Sequence, residues 1–138
     1  MNSIENLIEK ALKVRNSAYT PYSHFKVGAA LLTKTGEIYE GCNIECASYP
    51  VCNCAERTAL FKAVSEGFKE FEAIAVVGGK EGEEITEYCP PCGVCRQALR
   101  EFCSDTNAFK IILAKSCTDF KVFTLNDLLP ESFGPNHI

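Results

Sequence analysis

Two short cysteine-containing stretches place the strongest constraint on how this chain can fold. Residues 53–57 read Asn-Cys-Ala-Glu-Arg, and residues 91–95 read Pro-Cys-Gly-Val-Cys. Together they offer the thiols of Cys54, Cys92 and Cys95 and the carboxylate of Glu56. Three protein ligands on a tetrahedral zinc ion leave one position open for water, and a neighbouring carboxylate can move the protons of that water. A fold that joins the two stretches would therefore build a catalytic site with one Zn²⁺ per subunit.

Each stretch stands at the start of a predicted helix. The pattern of residues 55–64 is helical and stops before Gly67, and residues 94–102 place apolar side chains at helical spacing. Cys54 and Glu56 would be about 200° apart on an ideal helix, so both can reach one metal only if the metal lies ahead of the helix start. Two helix N-termini would then face the ion, and their partial positive charge favours thiolate over thiol.

The rest of the chain alternates between helical and strand patterns. The sequence predicts a helix over 3–18, strands over 26–33, 37–43, 72–79, 109–114 and 120–123, and a short helix over 125–129. Gly28, inside the first strand, indicates a close approach by another backbone. This order predicts a single domain over residues 1–138 of the α/β class. Its architecture is a three-layer α/β/α sandwich, in which helices cover both faces of a mixed five-stranded sheet.

Composition excludes several functional classes. The net charge is −4 and no cluster of Lys or Arg is present, which argues against a nucleic-acid partner. No stretch is long and apolar enough to cross a bilayer, so no membrane partner is expected. The first residues lack a basic segment followed by an apolar one, and a cytoplasmic location without a signal peptide is therefore expected.

The nine cysteines allow other interpretations. A secreted disulfide scaffold is one, but a chain of this size needs no disulfides to fold, and the spacing suits a metal. Cys89, Cys92 and Cys95 match the start of an iron–sulfur motif, yet position 99, where the next cysteine is expected, is leucine. A thioredoxin-like motif would leave residues 54–56 unexplained and lacks its preceding strand.

A structural zinc site is the remaining alternative that involves no catalysis. Closed zinc sites use four ligands, typically from two separate C-x-x-C pairs. The chain has Cys92 with Cys95 and Cys89 with Cys92, and these pairs share one cysteine. The shared cysteine argues against a closed site, but a zinc-binding interaction module stays open as the non-enzyme hypothesis.

Four stretches resemble the zinc-dependent nucleobase deaminases, and among these the small homotetrameric cytidine deaminases. They are Tyr-Thr-Pro-Tyr-Ser-His-Phe-Lys-Val-Gly-Ala-Ala-Leu at 19–31, Gly-Cys-Asn-Ile-Glu at 41–45, Asn-Cys-Ala-Glu-Arg-Thr-Ala at 53–59 and Pro-Cys-Gly-Val-Cys-Arg-Gln at 91–97. Cysteine at 54, in place of histidine, is typical of the tetrameric class. The resemblance implies hydrolysis of cytidine and deoxycytidine to uridine and deoxyuridine, release of ammonia, a role in pyrimidine salvage, and a homotetramer.

The resemblance also implies roles in the reaction. Cys54, Cys92 and Cys95 would hold zinc and leave its fourth position to water. Glu56 would take a proton from that water and pass it to N3 of cytosine, the hydroxide would attack C4, and Glu56 would then protonate the departing amine. Three thiolates give the centre a net charge of −1, which is unfavourable for acidifying water, so Arg57 and the helix N-termini are the expected donors to the sulfurs.

The substrate contacts rest on the same resemblance. The backbone of Ala55 would contact O2 of the base, and Phe25 would pack against the pyrimidine ring. Asn43 and Glu45 would bond the ribose hydroxyls, with Tyr49 as a further candidate nearby.

One further contact and one alternative substrate complete the expectations. Phe133 resembles an aromatic residue that the family inserts into a neighbouring subunit's site, so each site would be completed by a second chain. A related deaminase of a cytosine antibiotic such as blasticidin S uses similar motifs and is the alternative enzyme. Asn43 with Glu45 favours a ribose-containing substrate.

Overall fold

Nine helices and strands build the part of the chain that the structure, a computed structural model, describes, which is residues 3–138. In order they are α1 (Ile4–Arg15), β1 (Phe25–Thr33), β2 (Ile38–Cys42), α2 (Ala55–Ser65), β3 (Phe71–Lys80), α3 (Gly93–Glu101), β4 (Lys110–Ser116), β5 (Asp119–Thr124) and α4 (Leu125–Leu128). Short 3₁₀ turns occupy Tyr49–Val51 and Pro135–His137. Met1 and Asn2, the start of the segment that lacks a signal-peptide pattern, lie outside the described residues.

Helix α1 begins where the sequence predicts and ends three residues earlier. The Oγ of Ser3 accepts a hydrogen bond from the backbone N–H of Asn6 at 3.1 Å, which caps the helix. The helix ends at Arg15, whose Nε donates to the carbonyl of Lys26 at 2.9 Å and whose Nη2 donates to that of Gly79 at 2.8 Å. The predicted end at residue 18 was wrong because residues 16–18 tighten into bonds of the i→i−3 type.

The five strands form one mixed sheet in the order β2-β1-β3-β4-β5. Strand β1 pairs antiparallel with both β2 and β3, β3 pairs parallel with β4, and β4 pairs antiparallel with β5. The parallel pair is joined through α3, as a crossover requires. The predicted mixed five-stranded sheet is therefore confirmed.

Helices cover both faces of this sheet. On one face, Leu7 and Ile8 of α1 pack in a buried cluster with Ala30 of β1 and Val77 of β3. On the other face, a second cluster joins β1, β3 and β4 to α2, α3 and α4. Alternate residues of β1 serve opposite clusters because successive side chains of a strand point to opposite faces. The three-layer α/β/α architecture is confirmed, and no helix among residues 3–138 is long and apolar enough to span a membrane.

Two glycines let helices approach the sheet closely. A Cβ on Gly28 would lie 2.0 Å from the carbonyl oxygen of Ala11, which confirms the close approach that the sequence indicates at this position. A Cβ on Gly41 of β2 would lie 2.4 Å from the backbone nitrogen of Ala59 in α2. Glycine at 41 therefore sets α2 against the sheet edge and fixes where its N-terminus points.

Candidate active site

The two cysteine stretches meet at the N-termini of α2 and α3. Cys54 is the N-cap of α2, with an extended backbone at φ −77° and ψ 156°. Cys92 is the N-cap of α3, and its Sγ accepts from the backbone N–H of Cys95 at 3.5 Å. Cys54 thus stands outside the helix that contains Glu56, which is the arrangement that lets both residues face one point ahead of the helix.

Three sulfurs cluster at this point. The Sγ atoms of Cys54 and Cys92 are 3.9 Å apart, and those of Cys54, Cys92 and Cys95 all lie within 4.8 Å of one another. A tetrahedral zinc ion with Zn–S bonds of about 2.3 Å separates neighbouring sulfurs by about 3.8 Å. The cluster therefore fits zinc in donor type and in spacing. Cys92 is exposed and Cys95 is buried, so the cluster is open on one side.

Arg57 lies against the sulfurs. Its Nη2 donates a hydrogen bond to the Sγ of Cys54 at 3.4 Å. Hydrogen bonding from the Cys95 thiol, and then from Arg57, lowers the pKa of Cys54 to about 5, while the bond to Cys54 and burial raise the pKa of Cys95. The bond to Cys54 raises the pKa of Arg57 above its ordinary value. The guanidinium is thus held as a cation beside a thiolate.

The carboxyl of Glu56 is buried beside the same sulfurs. Its side chain is 5% exposed. Burial, with a smaller contribution from the charge on Cys54, raises the pKa of Glu56 to about 7. A carboxyl of this kind can bind and release a proton near neutral pH.

A pocket of about 430 Å³ opens next to Cys54. Its lining residues are Tyr22, Ser23, Asn43, Ile44, Glu45, Cys46, Tyr49, Cys52, Asn53 and Cys54. The structure therefore brings the predicted residues Asn43, Glu45 and Tyr49 together with one of the sulfurs. An isolated antiparallel bridge between Ile44 and Asn53 draws the two ends of the 43–53 loop together, which holds this wall of the pocket next to α2.

Asn43 and Glu45 both hold the neighbouring 22–27 segment. The Asn43 side chain accepts from the N–H of Val27 and donates to the carbonyl of Phe25, each at 2.9 Å. The Oε1 of Glu45 accepts from the backbone N–H groups of Tyr22 at 3.1 Å and Ser23 at 3.0 Å. These bonds fix the position of both side chains in the pocket wall.

Three other predicted residues lie outside this pocket lining. Phe25 is 36% exposed, and its ring approaches Gly78, where a Cβ would lie 3.2 Å from Cε1. Ala55 is fully buried as the first residue of α2. Phe133 is 60% exposed, and its carbonyl accepts from the Nε2 of Gln97 on α3 at 3.0 Å.

The structure also adds pocket residues that the sequence reasoning did not identify. The Oγ of Ser23 donates to the Oε2 of Glu45. Cys46 and Cys52 line the pocket and are joined by a hydrogen bond from the N–H of Cys46 to the Sγ of Cys52 at 3.1 Å. Ser23 lies within the 19–31 stretch, which could have indicated it, whereas the two cysteines carry no local signal because their contact depends on the fold of the 43–53 loop.

Comparison with known proteins assigns the family. A family model described as the cytidine and deoxycytidylate deaminase zinc-binding region matches residues 1–110. The chain belongs to this deaminase family. The deaminase is 48% identical over 131 residues to a cytidine deaminase of Sporosarcina psychrophila, covering 95% of this chain and 91% of the relative. It is 49% identical over 128 residues to a cytidine deaminase of Halalkalibacterium halodurans, covering 92% of this chain and 91% of the relative.

Solved structures agree with this assignment. A crystal structure of cytidine deaminase from Burkholderia pseudomallei superposes on the deaminase with a TM-score of 0.84 at 46% identity, covering 96% of this chain and all of the other. The deaminase is thus a zinc-dependent hydrolytic enzyme with the fold of its relatives. These relatives do not favour the antibiotic deaminase or the structural zinc module.

Proposed function

We propose that this deaminase hydrolyses cytidine and deoxycytidine to uridine and deoxyuridine, consuming water and releasing ammonia. One observation carries the proposal, namely the buried carboxyl of Glu56 beside three sulfurs that fit zinc. The adjoining pocket of about 430 Å³ falls in the size range of small-molecule sites. The named relatives are cytidine deaminases, which supports this substrate class.

Glu56 performs the proton transfers in this proposal. Hydrolytic deamination requires that water give up both of its protons, one to N3 of the base and one to the departing amine. Glu56 takes the first proton from water and delivers it to N3. It later takes the second proton from the new hydroxyl on C4 and delivers it to the 4-amino group. A C4–O bond forms and the C4–N bond breaks, so that ammonia leaves. A pKa of about 7 suits a group that must both accept and donate.

Cys54, Cys92 and Cys95 hold the zinc ion. Bound zinc supplies Lewis-acid activation of the attacking water. Three thiolates make the centre electron-rich, and Arg57 compensates by donating to Cys54 at 3.4 Å. The N-termini of α2 and α3 add partial positive charge at the same point.

The pocket residues supply the substrate contacts. Asn43 retains one amide hydrogen beyond its bond to Phe25, and the carboxylate of Glu45 retains acceptor capacity beyond its three bonds, so both can bond ribose hydroxyls. Tyr49, which is 74% exposed, lines the same pocket and is a further candidate for a substrate contact.

The base is held from two sides. Phe25 packs against the pyrimidine ring. The N–H of Ala55 belongs to the first turn of α2, whose N–H groups have no partner within the helix, and it bonds O2 of the base.

The assembly is a homotetramer in which a neighbouring chain completes each site. Phe133, with 60% of its surface exposed, is the residue that crosses to the neighbour. The enzyme works in the cytoplasm in pyrimidine salvage, with a nucleoside as its partner and neither nucleic acid nor membrane. None of the nine cysteines forms a disulfide, which suits a reducing compartment, and the net charge of −4 does not attract nucleic acid.

Loss of the cytosine absorbance tests this function. Cytidine, deoxycytidine and blasticidin S are supplied separately to zinc-loaded enzyme, with Glu56→Gln as the control. The expected result is consumption of the two nucleosides and none by the control. If zinc is bound and no nucleoside is consumed, the proposal fails. Consumption of blasticidin S alone would make the antibiotic the substrate.

A further inference from the structure

The C-terminal tail is fastened to α3 by a buried arginine. Arg100 is 7% exposed, and its Nε donates to the Oγ of Ser132 at 3.1 Å. Its Nη1 donates to the carbonyl of Cys103 and its Nη2 to the Oδ1 of Asn136, each at 3.1 Å. A buried guanidinium is stable only when its N–H groups are satisfied, and here the tail satisfies two of them. The tail and Arg100 therefore hold each other in place.

Gly134 fits directly under this guanidinium. A Cβ at this position would lie 2.5 Å from the Nη1 of Arg100 and 2.7 Å from its Cζ. The backbone N–H of Gly134 has its partner within the tail, because it donates to the Nδ1 of His137 at 3.0 Å. A side chain at position 134 would therefore displace the guanidinium from its bonds to the tail.

Phe133 lies between these anchors and points away from them. Ser132 and Gly134 on either side contact Arg100, and the carbonyl of Phe133 itself accepts from the Nε2 of Gln97 at 3.0 Å. Its side chain nevertheless stays 60% exposed. A large aromatic ring on a fixed backbone is suited to contact another molecule. The conformational entropy of this backbone is lost when the chain folds, so it is not lost again on binding.

We propose that Arg100 and Gln97 are positioning residues that hold the 132–136 tail so that the ring of Phe133 enters the nucleoside pocket of a second copy of this chain. This rests on the proposed function, in which a neighbour completes the site. Two observations favour a second copy over the same chain as the molecule whose pocket is filled: the carbonyl of Phe133 is bonded to Gln97 on its own α3, and Phe133 is outside the set of described residues that line its own pocket. Gln97 and Arg100 lie on the same helix as Cys95, so the position of the tail depends on the helix that holds one of the metal ligands.

Rescue between two defective chains tests whether Arg100 acts on a neighbouring site. Arg100→Gln is expected to lower kcat/KM for cytidine about tenfold, mainly through KM, with zinc content unchanged. Glu56→Gln has no working acid but an intact tail. Co-expression of Arg100→Gln with an excess of Glu56→Gln should restore most of the activity per intact Glu56, because the inactive chain lends its Phe133. Absence of rescue would show that Arg100 acts only within its own subunit and would overturn the proposal.

A double substitution gives a matched control. If Arg100 acts through Phe133, then Arg100→Gln should add no further loss of kcat/KM to Phe133→Ala. Additive losses would contradict the proposal. Arg100→Lys keeps the positive charge but has one nitrogen in place of the three guanidinium nitrogens that bond to Ser132, Cys103 and Asn136. It should behave like Arg100→Gln. If Arg100→Gln does not fold, Gln97→Ala removes one tail bond and should show the same increase in KM and the same rescue, and its failure to do so also counts against the proposal.

Fluorescence supplies a readout that does not depend on activity. The chain contains no tryptophan, so Phe133→Trp introduces a single fluorophore. In the assembled protein its emission should be at short wavelength and should respond to added uridine. Combining Arg100→Gln with Phe133→Trp in the same chain should move the emission to longer wavelength while the oligomer remains intact. Unchanged emission would overturn the positioning role even if cytidine were not the substrate, so failure of this inference and failure of the proposed function are distinguishable.

Discussion

The guanidinium of Arg57 lies 3.4 Å from the Sγ of Cys54, the first of the three clustered sulfurs. The two residues are three positions apart, with Cys54 as the N-cap of α2 and Arg57 in its first turn. The side chain of Arg57 can therefore reach back over the helix start. A thiolate that accepts a hydrogen bond from a cation donates less electron density to a metal, and this makes the metal a better acid.

Replacement of Arg57 by alanine should slow turnover without loss of zinc. We expect kcat to fall by about tenfold, which is the effect typical of removing one such supporting contact. Zinc content, measured by a colorimetric chelator after denaturation, should match that of the unchanged protein. Lys62→Ala, which removes a cation from the last turn of the same helix, is the control and should retain its kcat. An unchanged kcat in Arg57→Ala would contradict this role.

Local sequence signals predicted the helix starts and most of the strands. Ser3, Cys54, Cys92 and Thr124 occupy the N-cap positions of α1 to α4, and each precedes a helical pattern. The end of α1 was predicted three residues too late, because residues 16–18 form bonds of the i→i−3 type that the sequence pattern does not distinguish from helix. The 3₁₀ turn Tyr49–Val51 lies in a segment for which the sequence predicts neither helix nor strand.

The candidate site was likewise predicted only in part. The sulfur cluster followed from spacing and helix geometry. The bonds of Asn43 and Glu45 to the 22–27 segment could not be predicted, since they exist only after β1 and β2 have paired. Arg100 gave no signal at all, because an arginine in a helical pattern is usually a solvated side chain and its burial here depends on the path of the tail.

Glu45→Gln should raise KM for cytidine about tenfold with a smaller effect on kcat, as expected for loss of a binding contact. The Ser23 hydroxyl is the main cause that lowers the pKa of Glu45, so its charge persists below the usual range of glutamates. Because folding lowers the pKa of Glu45, its carboxylate stabilises the folded protein at pH values above the pKa that Glu45 has in the unfolded chain. This stabilisation is lost as the pH falls through the pKa of Glu45 in the folded protein. Steady-state kinetics from neutral to mildly acidic pH should show the variant's high KM throughout.

Glu37 offers a matched control for this change. It accepts hydrogen bonds from the hydroxyls of Thr33 and Thr35 in the β1–β2 turn, and these bonds lower its pKa in the same way. It lies outside the residues lining the nucleoside pocket. Glu37→Gln should leave KM unchanged, and an equal rise in KM for both variants would mean that Glu45 acts on folding and not on binding.

Gly28→Ala should destabilise the fold. The added Cβ would lie 2.0 Å from the carbonyl oxygen of Ala11, and backbone cannot move aside as a flexible side chain can. We expect the free energy of unfolding to fall by about 2–3 kcal/mol, as overpacking of a buried contact does. Gly93→Ala is the control, because no atom lies within 4 Å of a Cβ there. Urea unfolding at one protein concentration compares them, and equal midpoints would refute the close-approach argument.

Removal of zinc should loosen the junction between α2 and α3, because the three sulfurs join the two helix N-termini. At a free zinc concentration about a hundredfold above Kd, binding should add about 2.7 kcal/mol of stability. The melting temperature in zinc buffers should therefore rise with the logarithm of free zinc. Cys92→Ala should abolish this dependence, whereas Cys117→Ala, whose Sγ lies by the carbonyl of Glu5 at 3.8 Å, should retain it. A zinc-dependent melting temperature in Cys92→Ala would mean that the ion binds elsewhere.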